Sequence, residues 1–141
     1  MQKKLRYNPA DKFVCLVVEP ASASGGGGGG VVGVVEVSFI AEKEILASLE
    51  AGTQGFPYIA SMAVDPGVRR QGAATAMLGA AQGVAGAWRE RQALLHVYQD
   101  NAPAVDLYRA AGYETIFADA SWWAKLAVRP RFLMRKRFPA L

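Results

Sequence analysis

The sequence lacks the features that mark several protein classes. Its single cysteine, Cys15, excludes an intramolecular disulfide framework and any zinc site built from several cysteines. Its longest apolar run, Val31 to Ala41, is interrupted by Glu36 and Ser38 and is shorter than the roughly 20 residues that span a bilayer. No apolar segment follows the basic residues near the N-terminus, as it would in a secretory signal. We therefore expect neither a membrane-spanning nor a secreted protein.

Charged residues are also sparse, at 20% of 141 residues, whereas hydrophobic residues make up 52%. This balance excludes disorder along the whole chain, and the length favours a single domain over residues 1–141. The net charge of +4 is unevenly placed, because segment 125–141 holds six basic residues and no acidic one. We interpret this basic C-terminal segment as a solvated edge, since no aromatic-interleaved face for RNA accompanies it.

Hydrophobic periodicity predicts a mixed α/β fold. Short β-branched runs predict strands, and apolar residues recurring every three or four positions predict helices. The predicted strands are Lys12–Val18, Val31–Ile40, Tyr58–Val64, Ala93–Tyr98, Tyr113–Phe117 and Phe132–Phe138, and the predicted helices are Ala41–Gly55, Gly72–Arg91 and Pro103–Ala111. Because the first two strands have no helix between them, we expect them to pair antiparallel within a mixed sheet.

Two glycine-rich features accompany these elements. The stretch 21–30 lacks the Lys-Ser/Thr pair of a phosphate loop and precedes a strand, so we interpret it as a flexible hairpin loop. Gly79, Gly83 and Gly86 form a stripe on the longest predicted helix, where each glycine costs roughly 1 kcal/mol relative to alanine. We expect a tight fit of this stripe against the sheet to offset that cost.

Residues 64–78 carry the clearest chemical signal. A predicted strand leads through a tight turn into Arg69 and Arg70, and then into small residues at the start of a helix. The first turn of a helix presents unpaired N–H groups and a partial positive charge, and small residues at Gly72, Ala73 and Ala74 let an anion approach them. The segment predicts a pyrophosphate site. A solvated arginine pair before a surface helix is the alternative.

Two blocks of sequence resemble a known family. Arg69-Arg70-Gln71-Gly72-Ala73-Ala74 resembles the acetyl-coenzyme A motif of the GCN5-related N-acetyltransferase superfamily, and it follows that family's usual turn as Val64-Asp65-Pro66. The run from Asn101 to Tyr108, followed by Ala111-Gly112-Tyr113, is similar to the family's second signature. Their order and spacing make the pair more specific than either block alone, and protein N-terminal acetyltransferases of plant and algal plastids are the suggested relatives.

The resemblance implies a mostly antiparallel sheet whose central strands, Tyr58–Val64 and Ala93–Tyr98, splay apart to admit acetyl-coenzyme A. Backbone groups near Met62 and Val64 would then pair with the pantetheine arm, N–H groups from Arg69 to Ala74 would hold the pyrophosphate, and Asn101 would contact the cofactor or order its loop. The implied cofactor-binding residues are Met62, Val64, Arg69, Arg70, Gln71, Gly72, Ala73, Ala74, Asn101 and Tyr108. The resemblance implies no metal.

Three residues are candidates for catalysis. Tyr108 matches the tyrosine that often protonates the leaving thiolate in this superfamily, and an ordinary phenol remains protonated at neutral pH. His96, the only histidine, is the natural base for an attacking amine, and together with Tyr58 it resembles a pair that orders a water in some family members. The alternatives are a histidine bonded to a backbone carbonyl and a packed core tyrosine.

The N-terminus departs from the family pattern. Members usually open with a strand and two helices that wall the acceptor cleft, whereas only about a dozen residues precede the first apolar strand here. We expect either that this element is truncated or that its first strand is vestigial in Gln2 to Tyr7.

The resemblance therefore predicts an acetyltransferase that moves acetyl from acetyl-coenzyme A to a primary amine by direct attack. A protein N-terminal α-amine is the first choice of acceptor, with lysine side chains second. A small-molecule amine acetyltransferase and a truncated acetyl-coenzyme A-binding module without turnover are alternatives, and a basic RNA or ribosome contact protein ranks last.

The Trp122-Trp123 pair before the basic strand resembles plastid members of the family. This resemblance implies a location in the chloroplast, with the cytoplasm as the alternative.

Overall fold

The computed structural model describes residues 2–8, 12–19, 33–65 and 72–139, and at 2–8, 61 and 124 it describes only the backbone. The fold is organised by a seven-stranded sheet. Its strands are β1 (Gln2–Asn8), β2 (Phe13–Glu19), β3 (Gly33–Ile40), β4 (Phe56–Val64), β5 (Gln92–Tyr98), β6 (Glu114–Ala118) and β7 (Arg131–Arg137). The helices are α1 (Lys43–Leu46), α2 (Ala73–Ala87), α3 (Ala102–Ala110) and a 3₁₀ helix (Ser121–Leu126). The predicted glycine-rich loop at 21–30 lies outside the described residues.

The strand order is β1-β2-β3-β4-β5-β7-β6, and only the central β4–β5 pair is parallel. The predicted mixed, mostly antiparallel sheet is therefore confirmed, including the antiparallel pairing of β2 with β3. β1 pairs with β2 from Gln2 opposite Glu19 to Asn8 opposite Phe13. The first strand expected at Gln2 to Tyr7 is thus present and one residue longer, and residues 9–12 that follow it are too few to form two helices.

Two helices are shorter than predicted. α1 is a single turn rather than Ala41–Gly55, because no side chain caps its N-terminus and Ile45 is its only buried residue. α2 ends at Ala87 rather than at Arg91, because Arg89 takes a left-handed conformation with φ of 61° that turns the chain out of the helix.

α2 covers one face of the sheet with Met77, Ala81 and Ala85, which are fully buried against strand residues such as Val35. This spacing of four residues places Gly79 and Gly83 on the opposite, exposed face, where a Cβ atom would meet nothing within 4 Å. The expected tight fit of the glycine stripe against the sheet is therefore wrong.

The other face of the sheet is covered less completely. Ile45 of α1 packs there with Phe56, Leu94 and Leu133, and Tyr58 borders this cluster. Trp122 of the 3₁₀ helix is 57% exposed and adds little to the cover of this face. Among the described residues, no helix has the length and apolarity needed to cross a bilayer.

β7 brings the basic segment into the sheet, between β5 and β6, rather than to an edge as expected. Acidic residues from other elements then meet its arginines. Arg135 lies 3.2 Å from Glu50 and 3.7 Å from Glu114, and Arg137 also pairs with Glu50. Much of the positive charge that stands alone in the sequence is therefore paired in the fold.

Candidate functional site

The central strands separate along their length. β4 and β5 pair only at Tyr58 with Leu94 and at Ile59 with Leu95. Parallel strands that stay together form evenly spaced hydrogen bonds along their whole length. The carboxyl halves of the two strands, 60–64 and 96–98, therefore border a gap in the sheet, as the resemblance predicted.

A bulge in β4 lies beside this gap. Val34 pairs with Ala63 and Glu36 pairs with Ala60, so positions 61 and 62 together face Val35. A bulge of this kind bends the strand and leaves backbone polar groups unpaired. The backbone around Met62, one of the predicted pantetheine contacts, is thus free of a regular ladder and borders the gap.

A cavity of about 750 Å³ occupies the gap and continues to the start of α2. Its lining brings together most of the predicted cofactor residues that the structure describes. These residues are Met62, Val64, Gly72, Ala73, Ala74, Asn101 and Tyr108, with Thr75, Pro103 and Leu107 among their neighbours. Arg69, Arg70 and Gln71 lie outside the described residues.

The N-terminus of α2 closes one end of this cavity. Gly72 has φ of +77°, a conformation that favours glycine, and a Cβ atom there would meet nothing within 4 Å. The first intrahelical bond runs from Ala76 N–H to the Gly72 carbonyl at 2.9 Å, so the N–H groups of residues 73–75 have no acceptor within the helix. No acidic residue stands in this first turn. The corner is open, and its dipole favours an anion.

Asn101 lies between β5 and α3 and caps α3. Its side-chain oxygen accepts a hydrogen bond from Ala104 N–H at 3.4 Å, and Pro103 stands in the first turn. This bond orders the start of α3, and the predicted contact of Asn101 with the cofactor stays a prediction.

A smaller cavity of about 250 Å³ adjoins the first. Asn101, Ala104 and Tyr108 line both cavities, so they form the boundary between them. His96 and Arg131 line only the smaller one. The structure thus places the two predicted proton-transfer residues, His96 and Tyr108, around one small cavity that adjoins the larger one.

Tyr58 and His96 form a close pair. Tyr58 Oη lies 2.6 Å from His96 Nδ1, and the two rings meet edge to face. Burial lowers the pKa of His96, and the nearby Arg131 lowers it further against an opposing effect of Asp119. Burial also raises the pKa of Tyr58, with Arg131 opposing this and Glu42 adding to it. Both side chains are therefore neutral at pH 7, and the hydrogen-bond partner of His96 is a side chain rather than a backbone carbonyl.

Tyr108 is half-buried, and burial raises the pKa of its phenol, which keeps it protonated at neutral pH. Its ring packs edge to face on Tyr113, with 6.1 Å between centroids. The Tyr113 hydroxyl is fully buried and has no hydrogen-bond partner in the described part of the chain. Tyr108 therefore lies between a rigid aromatic support and the two cavities.

Sequence reasoning missed Arg131 as a site residue. The residue was grouped with a solvated basic edge, whereas β7 pairs with β5 and places Arg131 opposite Tyr98. The only signal in the sequence was that Arg131 directly precedes the last predicted strand. That position does not reveal which strands lie beside it in the sheet.

A wider open cavity of about 930 Å³ lies elsewhere, among residues that precede β4 and β5, such as Thr53 and Arg91. None of the predicted site residues lines it. Around the candidate site and in the rest of the described chain, no group of three or more His, Cys, Asp or Glu side chains could hold a metal ion.

Comparisons with known proteins agree with this geometry. Residues 5–113 match the family model of the acetyltransferase (GNAT) family. The chain is 33% identical over 137 residues to GCN5-related N-acetyltransferase 10, chloroplastic, of Arabidopsis thaliana, which covers 96% of this chain and 53% of the relative. The chain therefore spans about half the length of that curated relative.

Solved structures share the fold. Arabidopsis thaliana NAA60 in complex with acetyl-CoA superposes with a TM-score of 0.74 at 19% identity, over 90% of this chain and 76% of the other. Nourseothricin acetyltransferase superposes with a TM-score of 0.70 at 20% identity, over 95% of this chain and 71% of the other. At these identities the likeness shows the fold alone.

Proposed function

Because this chain belongs to the acetyltransferase (GNAT) family, we propose that it transfers acetyl from acetyl-coenzyme A to a primary amine, first to protein N-terminal α-amines and second to lysine side chains. One observation carries this proposal. Two adjoining cavities, which share Asn101, Ala104 and Tyr108 as lining residues, extend from the open amides of α2, along the gap between β4 and β5, to His96. Together they have the features required of a thioester-binding cleft, with an anion site at one end and proton-transfer groups at the other.

The described residues fit acetyl-coenzyme A. The open corner at Gly72, Ala73 and Ala74 would hold the pyrophosphate, with Arg69, Arg70 and Gln71 expected to add to it. The backbone near Met62 and Val64 would pair with the pantetheine arm, and Asn101 would keep the opposite wall in place. When bound, acetyl-coenzyme A supplies a thioester carbon that an amine can attack.

His96 is proposed to accept the proton that the amine loses as its nitrogen bonds to the acetyl carbon. The lowered pKa keeps the imidazole neutral, which is the form that accepts a proton. For Nε2 to be the acceptor, Nδ1 must carry the ring proton and donate it to Tyr58 Oη. Tyr58 would thereby hold the ring in the tautomer that can act as a base, either directly or through a water.

Tyr108 is proposed to give its proton to the sulfur as the carbon–sulfur bond breaks. It lies at the boundary of the two cavities, between the anion site and His96. The proton lost by the amine and the proton gained by sulfur are thus handled by two side chains, and no covalent enzyme intermediate is needed.

The acceptor and the location rest on coarser support. The family match supports an acetyl acceptor in general, and the Tyr58–His96 pair, which resembles a water-ordering pair of some protein N-terminal acetyltransferases, supports protein α-amines as the first choice. The curated relative is a chloroplastic protein, which supports a plastid location here as well. We treat residues 1–141 as a single N-acetyltransferase domain, since β7 lies between β5 and β6 and completes the sheet beyond the matched residues 5–113.

A specific observation favours one alternative. Residues 9–12 join β1 to β2 where family members usually have two helices that wall the acceptor side. A chain without that wall would bind acetyl-coenzyme A and turn over poorly, as a binding module.

Two measurements test the proposal together. We expect acetyl-coenzyme A to raise the melting temperature, since it binds the folded state, and we expect coenzyme A release when peptides or small amines are added. If acetyl-coenzyme A stabilises the protein but no coenzyme A is released with any amine of a varied panel, the protein acts as a binding module. No stabilisation would contradict both.

A further inference from the structure

We propose that Arg131 selects acceptors that carry a carboxylate close to the reacting amine. It rests on the proposed acetyltransferase function and names the class of acceptor for that same site. In a peptide the carboxylate belongs to an acidic side chain at the first or second residue, and in a free amino acid it is the α-carboxylate.

Its place in the sheet brings Arg131 to the acceptor end of the cleft. It is the first residue of β7 and pairs with Tyr98, the last residue of β5. Together with His96 and Tyr108 it lines the 250 Å³ cavity, and its side chain is 45% exposed. A group that approaches His96 from this cavity therefore passes a guanidinium.

The charge of this cavity has one sign. Seven residues line it, and none of them is acidic. His96 is neutral at pH 7, which leaves Arg131 as the only formal charge among those seven. A carboxylate that enters is attracted, and a second ammonium group beside the reacting amine is repelled.

Asp119 positions Arg131 without occupying its outer nitrogens. The Asp119 carboxylate, only 10% exposed, lies 3.7 Å from Arg131 Nε and accepts the Arg131 backbone N–H at 2.9 Å. No acceptor for the two terminal nitrogens of Arg131 is found among the residues that the structure describes. These two donors have the fork geometry that binds a carboxylate with two hydrogen bonds.

The neighbouring arginine behaves differently. Arg129 donates to Asp100 at 2.7 Å and stacks over the Tyr98 ring, 3.7 Å from its centroid. One of its terminal nitrogens is thus already engaged, unlike those of Arg131, and its side chain packs on Tyr98, which lines the cavity. Recognition of an anionic acceptor is therefore assigned to Arg131 rather than to the basic segment as a whole.

The test uses short peptides with amidated C-termini that differ only in Asp, Asn or Lys at the second position, together with free aspartate and free alanine. Both kcat/KM and the equilibrium binding of labelled peptides to the acetyl-coenzyme A complex are measured. We expect wild type to prefer Asp over Asn, and Asn over Lys, by roughly fivefold at each step, as befits a partly exposed ion pair. Equal use of free aspartate and free alanine, both above the carboxylate-free Asn peptide, would identify the α-carboxylate as the recognised group.

Three variants separate recognition from structure. Arg131→Gln should abolish the preference, and Arg131→Lys should keep part of it. Arg109→Gln, a matched loss of an exposed arginine that lines neither cavity, should leave it unchanged. Melting temperatures check that each variant folds. If Arg131→Gln does not fold, Arg131→Lys still tests the role of Arg131.

The inference is overturned if wild type binds the Asp and Lys peptides equally, or if Arg131→Gln lowers kcat/KM by the same factor for all peptides. Complete absence of turnover contradicts the proposed function instead, and the binding preference then decides the role of Arg131 on its own.

Discussion

Tyr58 and His96 lie on the two central strands at the place where those strands begin to part, with Tyr58 Oη 2.6 Å from His96 Nδ1. Tyr58 is in the first of the two paired positions, and His96 follows Leu95, the last paired residue of β5. The sheet therefore holds the pair rigidly while the gap beyond it gives the pair access to substrate.

This geometry predicts how activity depends on pH. Burial and the nearby Arg131 lower the pKa of His96 below the ordinary 6.5, against an opposing effect of Asp119. The neutral, proton-accepting form therefore persists below pH 6.5 and is lost only as the pH falls through the lowered pKa. We expect kcat/KM to fall along an acidic limb below pH 6.5.

The acceptor amine also titrates, with a pKa of about 7.7 to 8.0 for an α-amine. His96→Gln retains that titration and lacks the imidazole, so the ratio of the two pH profiles isolates His96. The base role is wrong if the ratio stays constant from neutral pH down to the pH at which the protein begins to unfold.

Tyr108→Phe should lower kcat and leave the affinity for acetyl-coenzyme A nearly unchanged. The substitution removes the hydroxyl proposed to protonate sulfur and keeps the ring that packs on Tyr113. A general acid contributes on the order of 10² to 10⁴ in rate. Steady-state kinetics and isothermal titration would measure the two quantities.

Tyr113→Phe is the matched control. It removes the other hydroxyl of the same aromatic pair, which is buried without a partner in the described chain. Loss of an unsatisfied buried hydroxyl should stabilise the protein by about 1 kcal/mol or leave its stability unchanged. Equal losses of kcat in both variants would indicate a packing effect and contradict the acid role of Tyr108.

Gly72→Val should abolish the stabilisation by acetyl-coenzyme A. A side chain at this position would occupy the open corner that faces the α2 amides. Because Gly72 has φ of +77°, valine also strains the backbone, and the control must share that strain. Gly52→Val is such a control, since Gly52 has φ of +89°, is equally open and lies outside the cleft.

Melting curves with and without acetyl-coenzyme A distinguish the two glycine variants. Both should melt below wild type in the absence of ligand. Only the Gly52 variant should show a higher melting temperature when acetyl-coenzyme A is added. A rise that survives in Gly72→Val would mean that the pyrophosphate is held elsewhere.

Local sequence patterns were enough to predict most elements. The alternation in β3 and the small residues at the start of α2 both lie within the elements that they specify. The described part of the first motif block begins α2 and the second block begins α3, and residues of both blocks line one cavity. Short-range signals were sufficient because strand, turn and helix start are contiguous in the chain.

Sequence reasoning failed where neighbours in space are distant in sequence. Arg131 reaches the site only because β7 inserts between β5 and β6, and nothing in its own segment reveals that insertion. The same insertion brings Glu50 to Arg135 and Arg137, so an unbalanced segment becomes a paired one.

The glycine stripe of α2 gives a prediction about stability. Gly79 and Gly83 are exposed in the helix interior, and a Cβ atom at either would meet nothing within 4 Å. Alanine at each position should therefore stabilise the protein by about 1 kcal/mol, through higher helix propensity and a less flexible unfolded chain. A melting temperature raised by roughly 3 °C per substitution would confirm this.

Gly33→Ala tests the same substitution where space is absent. A Cβ atom at Gly33 would lie 2.6 Å from Met77 Sδ and 3.2 Å from the Ala63 carbonyl, so the fully buried Met77 side chain would have to move. We expect this variant to melt below wild type, while the two helix variants melt above it. If Gly79→Ala or Gly83→Ala were destabilising instead, the exposed face of α2 would have to be covered by another part of the protein or by a partner, because open solvent gives no reason for a methyl group to cost stability there.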